Sequence, residues 1–216
     1  MLVTITGARA ATGYGEHVAM ELAAAAMTDK RQVVSGGAYG IDGVTHRTVL
    51  AGGGSTIAVM AGGLDRLYPA GHTELLNRVG THGLLLSELP PGAAPSKWRF
   101  LQRGRLLAAL SGAVVVAEAG YRSGTLNTAA RAVELHRPVG AVPGPITSPA
   151  SAGCHRLLRD GLATVITGYD DVRSLLDGMR DGPQRMMQRT AGLEHDPLDP
   201  HVGPSSARPS GQGLSL

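Results

Sequence analysis

Cysteine, lysine and aromatic residues are all scarce in this chain, and each scarcity closes off a class of protein. Cys154 is the single cysteine, so no internal disulfide can form and a disulfide-stapled secreted fold is excluded. No stretch approaches the roughly 20 consecutive apolar residues that a membrane-spanning helix needs. The opening MLVTITGARAATGYG carries no basic segment followed by a long apolar one. No membrane partner is therefore expected, and the expected location is cytoplasmic. The 8 histidines are scattered with no pair at ligand spacing, which gives no metal site. Lys30 and Lys97 are the only lysines, so the formal net charge of +3 is carried by arginine, a mild basic excess that permits an anionic partner without requiring one. Aromatics make up 3%, with one Phe and one Trp, so any site that stacks bases has few residues to use.

What is present is a regular alternation. The 216 residues, 43% hydrophobic and 17% charged, suffice for one sizeable core. Short β-rich runs predict strands over Val3 to Thr6, Gln32 to Ser35, Thr56 to Met60, Leu84 to Ser87, Ala113 to Ala117, Val139 to Val142 and Ala163 to Ile166. Helices are predicted between them. The first carries Val18, Leu22 and Ala25 on one face, and others run over Asp42 to Ala51, Glu74 to Val79, Phe100 to Leu110, Leu126 to His136, Cys154 to Arg159 and Tyr169 to Leu176. Strand and helix in strict alternation imply right-handed crossovers, hence a doubly wound α/β fold with a mostly parallel sheet of about seven strands. Unbroken apolar runs such as Ala113-Val114-Val115-Val116 suit strands buried on both faces. The domain is placed at 1–178, and the Pro, Gly and Ser-rich remainder, 179–216, is read as a disordered tail.

In an open parallel sheet, ligands bind beyond the carboxyl ends of the strands. Four strand-to-helix turns qualify: TGAR at Thr6 to Arg9, SGGAYG at Ser35 to Gly40, AGGLDRLYP at Ala61 to Pro69, and EAGYRSGT at Glu118 to Thr125. Glycines there let a ligand approach the backbone, and the free N–H groups of the next helix attract an anion. Ser123 or Thr125 is predicted to cap a helix whose Leu126, Ala130 and Val133 form a buried stripe. Gly36, Gly37 and Gly40 do not spell the dinucleotide fingerprint, and no P-loop lysine is present, so no cofactor is expected. Nothing reads G-x-S-x-G. Asp42 reads as a helix-start carboxylate satisfying backbone N–H groups, and Cys154 as a buried structural thiol.

VVSGGAYGIDGVTH, TIAVMAGGLDRLYP, LLLSELPPG, FLQRGRLLAALSGAVVVAEAGYRSGTLNTAARAVELHRPVGAVPGP and SAGCHRLLRDGLATVI resemble, in order and spacing, the Rossmann-like domain of the DprA/Smf DNA-processing family over about Met1 to Leu176. The resemblance implies single-stranded DNA binding without catalysis, a homodimer, and hand-over of the strand to a RecA-type recombinase. It also implies that the helical N-terminal domain and C-terminal winged helix of longer relatives are absent. The site residues it implies are Arg9, Ser35 with Gly36, and Lys97 with Phe100, followed by Arg103 and Arg105. In a helix, Lys97, Phe100 and Gly104 share a face, which sets a charge beside a stacking ring. Gly37, Tyr39, Ser123, Gly124 and Thr125 complete the expected DNA-binding set from the glycine turns.

Three positions depart from the family pattern. Tyr39 stands where S-G-x-A-R-G-I-D has arginine, Gly104 stands for asparagine within the RNR element, and His72 stands for the asparagine of YP-x-x-N-x-x-L. The rival reading is a nucleotide-binding sensor or enzyme of the related cytokinin-activating phosphoribohydrolase class, whose P-G-G-x-G-T-x-x-E turn EAGYRSGTLNT resembles through Gly124-Thr125. Thr128 occupies the place of that class's glutamate, and threonine cannot serve as a general acid or base near neutral pH. Glu118, ahead of the turn, is the one carboxylate that could substitute for it.

Overall fold

The alternation resolves into seven strands and seven α-helices in a computed structural model that describes residues 1–180. The tail expected over 179–216 therefore falls almost wholly outside the described residues. The strands are β1 (Leu2–Gly7), β2 (Gln32–Gly36), β3 (Thr56–Val59), β4 (Leu84–Leu86), β5 (Ala113–Glu118), β6 (Val139–Ala141) and β7 (Thr164–Val165). The helices are α1 (Gly13–Thr28), α2 (Ile41–Ala51), α3 (Thr73–His82), α4 (Lys97–Leu110), α5 (Thr125–Glu134), α6 (Ala152–Arg159) and α7 (Tyr169–Arg180). Every pairing is parallel, and the strand order is β4-β3-β2-β1-β5-β6-β7. The chain builds outward from β1 in one direction, returns through α4, and builds outward again from β5. The junction of β1 and β5 is thus the topological switch point, where a doubly wound sheet opens a crevice.

Alternation along the strands divides the core. Val3, Ile5, Val33, Val115 and Ala117 pack with Ala19, Leu22 and Ala23 of α1, Val44 of α2 and Leu176 of α7 on one face. Val114, Val116 and Val139 pack with Ala108, Ala129 and Leu157 of α4, α5 and α6 on the other. Both faces of the central strands are covered, which is why β5 is buried at every position.

Two predicted stripes are corrected. On α1 the buried residues are Gly15, Ala19, Leu22, Ala23 and Ala26, so Val18 and Ala25 flank the core instead of filling it. On α5 the buried residues are Thr125, Thr128, Ala129 and Ala132, and Ala130 and Val133 face outward. Apart from Leu22, both buried faces are made of small residues, which let a helix lie close to the sheet. The predicted cap on α5 is also revised: the N-cap is Gly124, with no side-chain cap bond. α4 begins three residues earlier than predicted because Ser96 caps it, accepting from Arg99 N.

One polar side chain joins α2 to the sheet. His46 is fully buried, with Nε2 2.9 Å from Gly36 O and Nδ1 3.0 Å from Thr56 Oγ1. A carbonyl can only accept, so Nε2 carries the proton; the Thr56 hydroxyl lies between His46 Nδ1 and Val33 O, the latter at 3.1 Å. Burial pushes the imidazole down from 6.5 to about 4. The unfolded chain therefore takes up a proton that the folded chain refuses across that interval, and stability is complete above about pH 6.5 and falls toward pH 4. His72 is displaced in the same direction, chiefly by burial. Denaturant titration at pH 7, 5.5 and 4 is expected to show His46 contributing a loss of about 3 kcal/mol over the range, at about 1.4 kcal/mol per pH unit. The slope should flatten in His46→Gln; an unchanged slope would contradict the assignment.

Candidate nucleic-acid interface

A cleft of about 510 Å³ opens at the switch point. Its floor is the β1–α1 loop, Thr6 to Ala10, and its walls are the N-terminal half of α4 and the β5–α5 turn. Arg9, Lys97, Phe100, Arg103, Ser123, Gly124 and Thr125, all in the expected DNA-binding set, are brought together here. Their elements are far apart in sequence, and only the crossover of α4 from the β4 edge back to the centre makes them neighbours.

A buried ion pair forms the base of this site. Asp42, 2% exposed at the start of α2, accepts from Thr6 Oγ1 at 2.8 Å and from Ala38 N at 3.3 Å, and lies 3.2 Å from the Ser35 hydroxyl. This agrees with the helix-start reading and goes beyond it, because the same carboxylate faces Arg103 Nη2 at 3.8 Å. Arg103 Nη1 donates to Val59 O at 3.1 Å, and its guanidinium carbon is 5.6 Å from the centre of the Phe100 ring. Burial pulls the Arg103 guanidinium below its ordinary range, and Asp42 pulls it back. Its Nε is buried with no hydrogen-bond partner.

The glycines expected to meet a ligand meet protein instead. A Cβ on Gly36 would overlap the Arg103 guanidinium and the Asp42 carboxylate, so this glycine is the seat on which the arginine lies. Gly37 backs onto Met60 and Leu76. Ser35 is fully buried, its hydroxyl 2.6 Å from Ile5 O. Ser35, Gly36 and Gly37 thus lie beneath the cleft and do not line it. Gly40 has φ +71°, and a side chain there would strike the backbone of Ala8 and Arg9. Its bareness lets Ile41 N reach Ala8 O at 3.1 Å, which holds the Arg9 loop at the mouth of the cleft.

Two further members of the predicted set stand apart. Arg105 is on the other side of α4 from Arg103, exposed, with Nη2 donating to Glu88 Oε1 and Oε2 at 2.6 and 2.7 Å. Tyr39 is exposed at the flank, its hydroxyl accepting from Gly71 N at 3.2 Å and its ring 4.7 Å from that of His72. Two of the three departures from the family pattern are therefore in contact. The third, Gly104, is buried and faces Thr128 across the α4–α5 contact.

The structure adds Arg122, which lines the cleft from the β5–α5 turn. The turn EAGYRSGT was recognised for its glycines, and the arginine inside it was the available signal. Exposed at the rim, Arg9 lies with its guanidinium carbon 4.4 Å from the Phe100 ring centre, and Phe100 in turn meets Tyr68 edge-on at 5.9 Å. Lys97, Arg9 and Arg122 thus line the same cleft as the Phe100 ring, and Asp42, the only carboxylate among the described lining residues, is already engaged.

A doubly wound parallel sheet with a cationic, aromatic crevice at its switch point defines a Rossmann-like protein. The chain belongs to the DprA/Smf family: the family model for DNA recombination-mediator protein A matches residues 1–177. It is 58% identical over 168 residues to the putative DNA processing protein DprA of Mycobacterium tuberculosis, covering 78% of this chain and 43% of the relative. Against DprA of Streptococcus pneumoniae the identity is 41%, covering 78% and 59%. The chain thus spans about half the length of these curated relatives. The solved structure of the Streptococcus pneumoniae protein superposes with TM-score 0.73 at 38% identity over 80% of this chain and 60% of that one. DNA processing protein A from Helicobacter pylori, solved for its single-stranded DNA binding mode, superposes with TM-score 0.75 at 30% identity over 82% and 80%. Molybdenum cofactor carrier proteins share the fold at 14–18% identity. Among the described residues no helix is long and apolar enough to cross a membrane.

Removing Asp42 should expose the cost of the buried arginine. Asp42→Ala is expected to destabilise the fold by about 3–5 kcal/mol, the range for leaving one member of a buried ion pair uncompensated. Asp42→Ala with Arg103→Met should recover part of that loss, read as a midpoint shift in urea unfolding. A double variant as unstable as the sum of the singles would mean the two do not interact.

Proposed function

We propose that the switch-point cleft binds single-stranded DNA and performs no chemistry on it. The observation that carries this reading is the stack of Arg9 on Phe100 at 4.4 Å, with Lys97 and Arg122 lining the same cleft. A strand needs two things from such a surface, cations for its phosphates and a platform for a base, and a ring flanked by guanidinium and ammonium groups supplies both. Arg103, buried and compensated, serves as the foundation; the exposed Arg9, Lys97 and Arg122 take the phosphates. The β5–α5 turn, with Ser123, Gly124 and Thr125, offers backbone and hydroxyl groups on the opposite wall.

The side chains also argue against the phosphoribohydrolase reading. Thr128 lines the cleft without an ionisable group. Glu118 is buried and accepts from Thr12 N at 2.8 Å and Thr12 Oγ1 at 2.6 Å, so it is committed to capping the start of α1. Homodimer formation and hand-over to a RecA-type recombinase are carried by family membership and complete the proposed role as a recombination mediator.

Fluorescence polarisation with labelled oligo-dT across a salt series tests the reading. With Arg9, Lys97 and Arg122 on phosphates, log K against log[salt] should fall with a slope of about −2, at roughly −0.7 per contact. Phe100→Ala should weaken binding by about 1–3 kcal/mol, one base stack, and leave the thermal unfolding transition in place. Undetectable binding at low salt would overturn the proposal, and release of free base from nucleoside monophosphates would favour the enzymatic alternative.

A further inference from the structure

We propose that Tyr68 is a second base-stacking station, so that the site engages two neighbouring nucleotides held apart from each other. The inference rests on the reading of the cleft as a single-strand site. Five of the chain's few aromatic residues stand exposed on turns or first helical turns at the carboxyl edge: Tyr14, Tyr39, Tyr68, Trp98 and Tyr121. The contacts of the other four leave Tyr68 as the ring beside Phe100. Tyr39 is tied by its hydroxyl to Gly71 and by its ring to His72. Tyr121 has the Arg156 guanidinium 5.4 Å from its ring centre. Trp98 touches none of the ring partners described. Tyr68 is the one that joins the established platform, 5.9 Å from Phe100 and inclined at 64° to it, while 48% of its surface stays open.

Its surroundings suit the same ligand. Arg66 shares with Tyr68, Phe100 and Met60 the lining of a small recess between the β3 loop and α4. The one carboxylate of that loop, Asp65, is turned aside onto Gly92 N at 2.8 Å. Tyr14 and Tyr169 use their hydroxyls on Pro143 O and Asp29, whereas Tyr68 has no such tie among the described residues. Nothing in its contacts beyond Phe100 explains a large ring left half in water.

The geometry makes a specific demand on the ligand. The two rings are 5.9 Å apart and mutually inclined, whereas successive nucleotides of a duplex strand rise about 3.4 Å and keep their bases parallel. Bases resting on both rings must be drawn out and unstacked from each other. A strand whose bases stack weakly is therefore favoured, so oligo-dT should bind more tightly than oligo-dA of equal length.

The test measures binding of short oligo-dT, oligo-dA and an all-abasic strand with the same backbone, by polarisation at fixed salt, to wild type, Tyr68→Ala, Tyr68→Leu and Phe100→Ala. Tyr68→Ala and Tyr68→Leu are each expected to weaken oligo-dT binding about 5- to 150-fold, the loss of one stack, and to leave the abasic strand unchanged. The advantage of oligo-dT over oligo-dA should shrink with them. Wild-type affinity for oligo-dT in the Tyr68 variants overturns the inference. So does an equal loss on the abasic strand, which would make Tyr68 structural; Tyr68→Leu, which keeps most of the bulk, gives the same reading where Tyr68→Ala fails to fold. A Phe100 effect without a Tyr68 effect leaves the single-strand reading standing and removes the second station. Failure of wild type to bind any strand removes both.

Discussion

A guanidinium withdrawn from water is tolerated only where a carboxylate and hydrogen-bond acceptors replace the solvent, and the arrangement around Arg103 shows how much of this molecule that requirement organises. The carboxylate comes from the first turn of α2, the carbonyl from the end of β3, and a ring from one turn earlier on α4. Asp42 is in turn held by hydroxyls from β1 and β2. Three strands and two helices converge on one ion pair at the sheet's switch point. The flat backbone of Gly36 gives the arginine room to lie there. Because α4 is fastened at this point, its first turn, with Lys97 and Phe100, is held out over the carboxyl edge instead of packing down on it.

This arrangement divides the cations by depth. Arg103 is paired with Asp42 and fixes geometry, while Arg9, Lys97 and Arg122 line the cleft without a carboxylate partner among the described residues. Arg9 lies on Phe100, whose ring draws the cation to its face. Under the proposed single-strand reading, a base arriving at Phe100 would compete with that guanidinium, and the displaced arginine would be free to meet the phosphate the base brings with it, coupling stacking and charge neutralisation at one pair of side chains.

How far this was legible in the sequence depended on the kind of information involved. The order and type of the strands and α-helices were readable from their alternation, the central strands most plainly because parallel strands buried on both faces are unbroken apolar runs. The buried face of α1 was misread because an Ala-rich helix has little hydrophobic contrast around its circumference. On α5, moreover, threonines take the inside; Thr125 does so by donating its hydroxyl to Gly7 O. Arg103 and Arg105 look equivalent as a pair flanking Gly104, yet two helical residues point to opposite sides, and only packing decides which is buried against Asp42 and which pairs with Glu88. The glycines of SGGAYG read as positions where a ligand approaches the backbone, and the fold sets protein against them instead. What approaches Gly36 is a side chain from 67 residues downstream in the sequence, and a contact of that separation leaves no local trace.

The departures from the family pattern gain meaning from the same three-dimensional view. Tyr39 and His72 are 33 positions apart and read separately as two lost polar groups. In the fold they touch, ring against ring at 4.7 Å, with the tyrosine hydroxyl accepting from Gly71 N and His72 Nδ1 held on Gly37 O at 3.2 Å. They act as one change, in which an aromatic pair fastens the β2–α2 turn to the chain before α3. An arginine at position 39 would place a mobile cation on that flank; the tyrosine places a ring whose hydroxyl is already committed. Arg9, Lys97 and Arg122 line the cleft on the β1 and β5 side, whereas Tyr39 and Tyr68 stand on the β2 and β3 side, where Arg66 is the cation beside Tyr68.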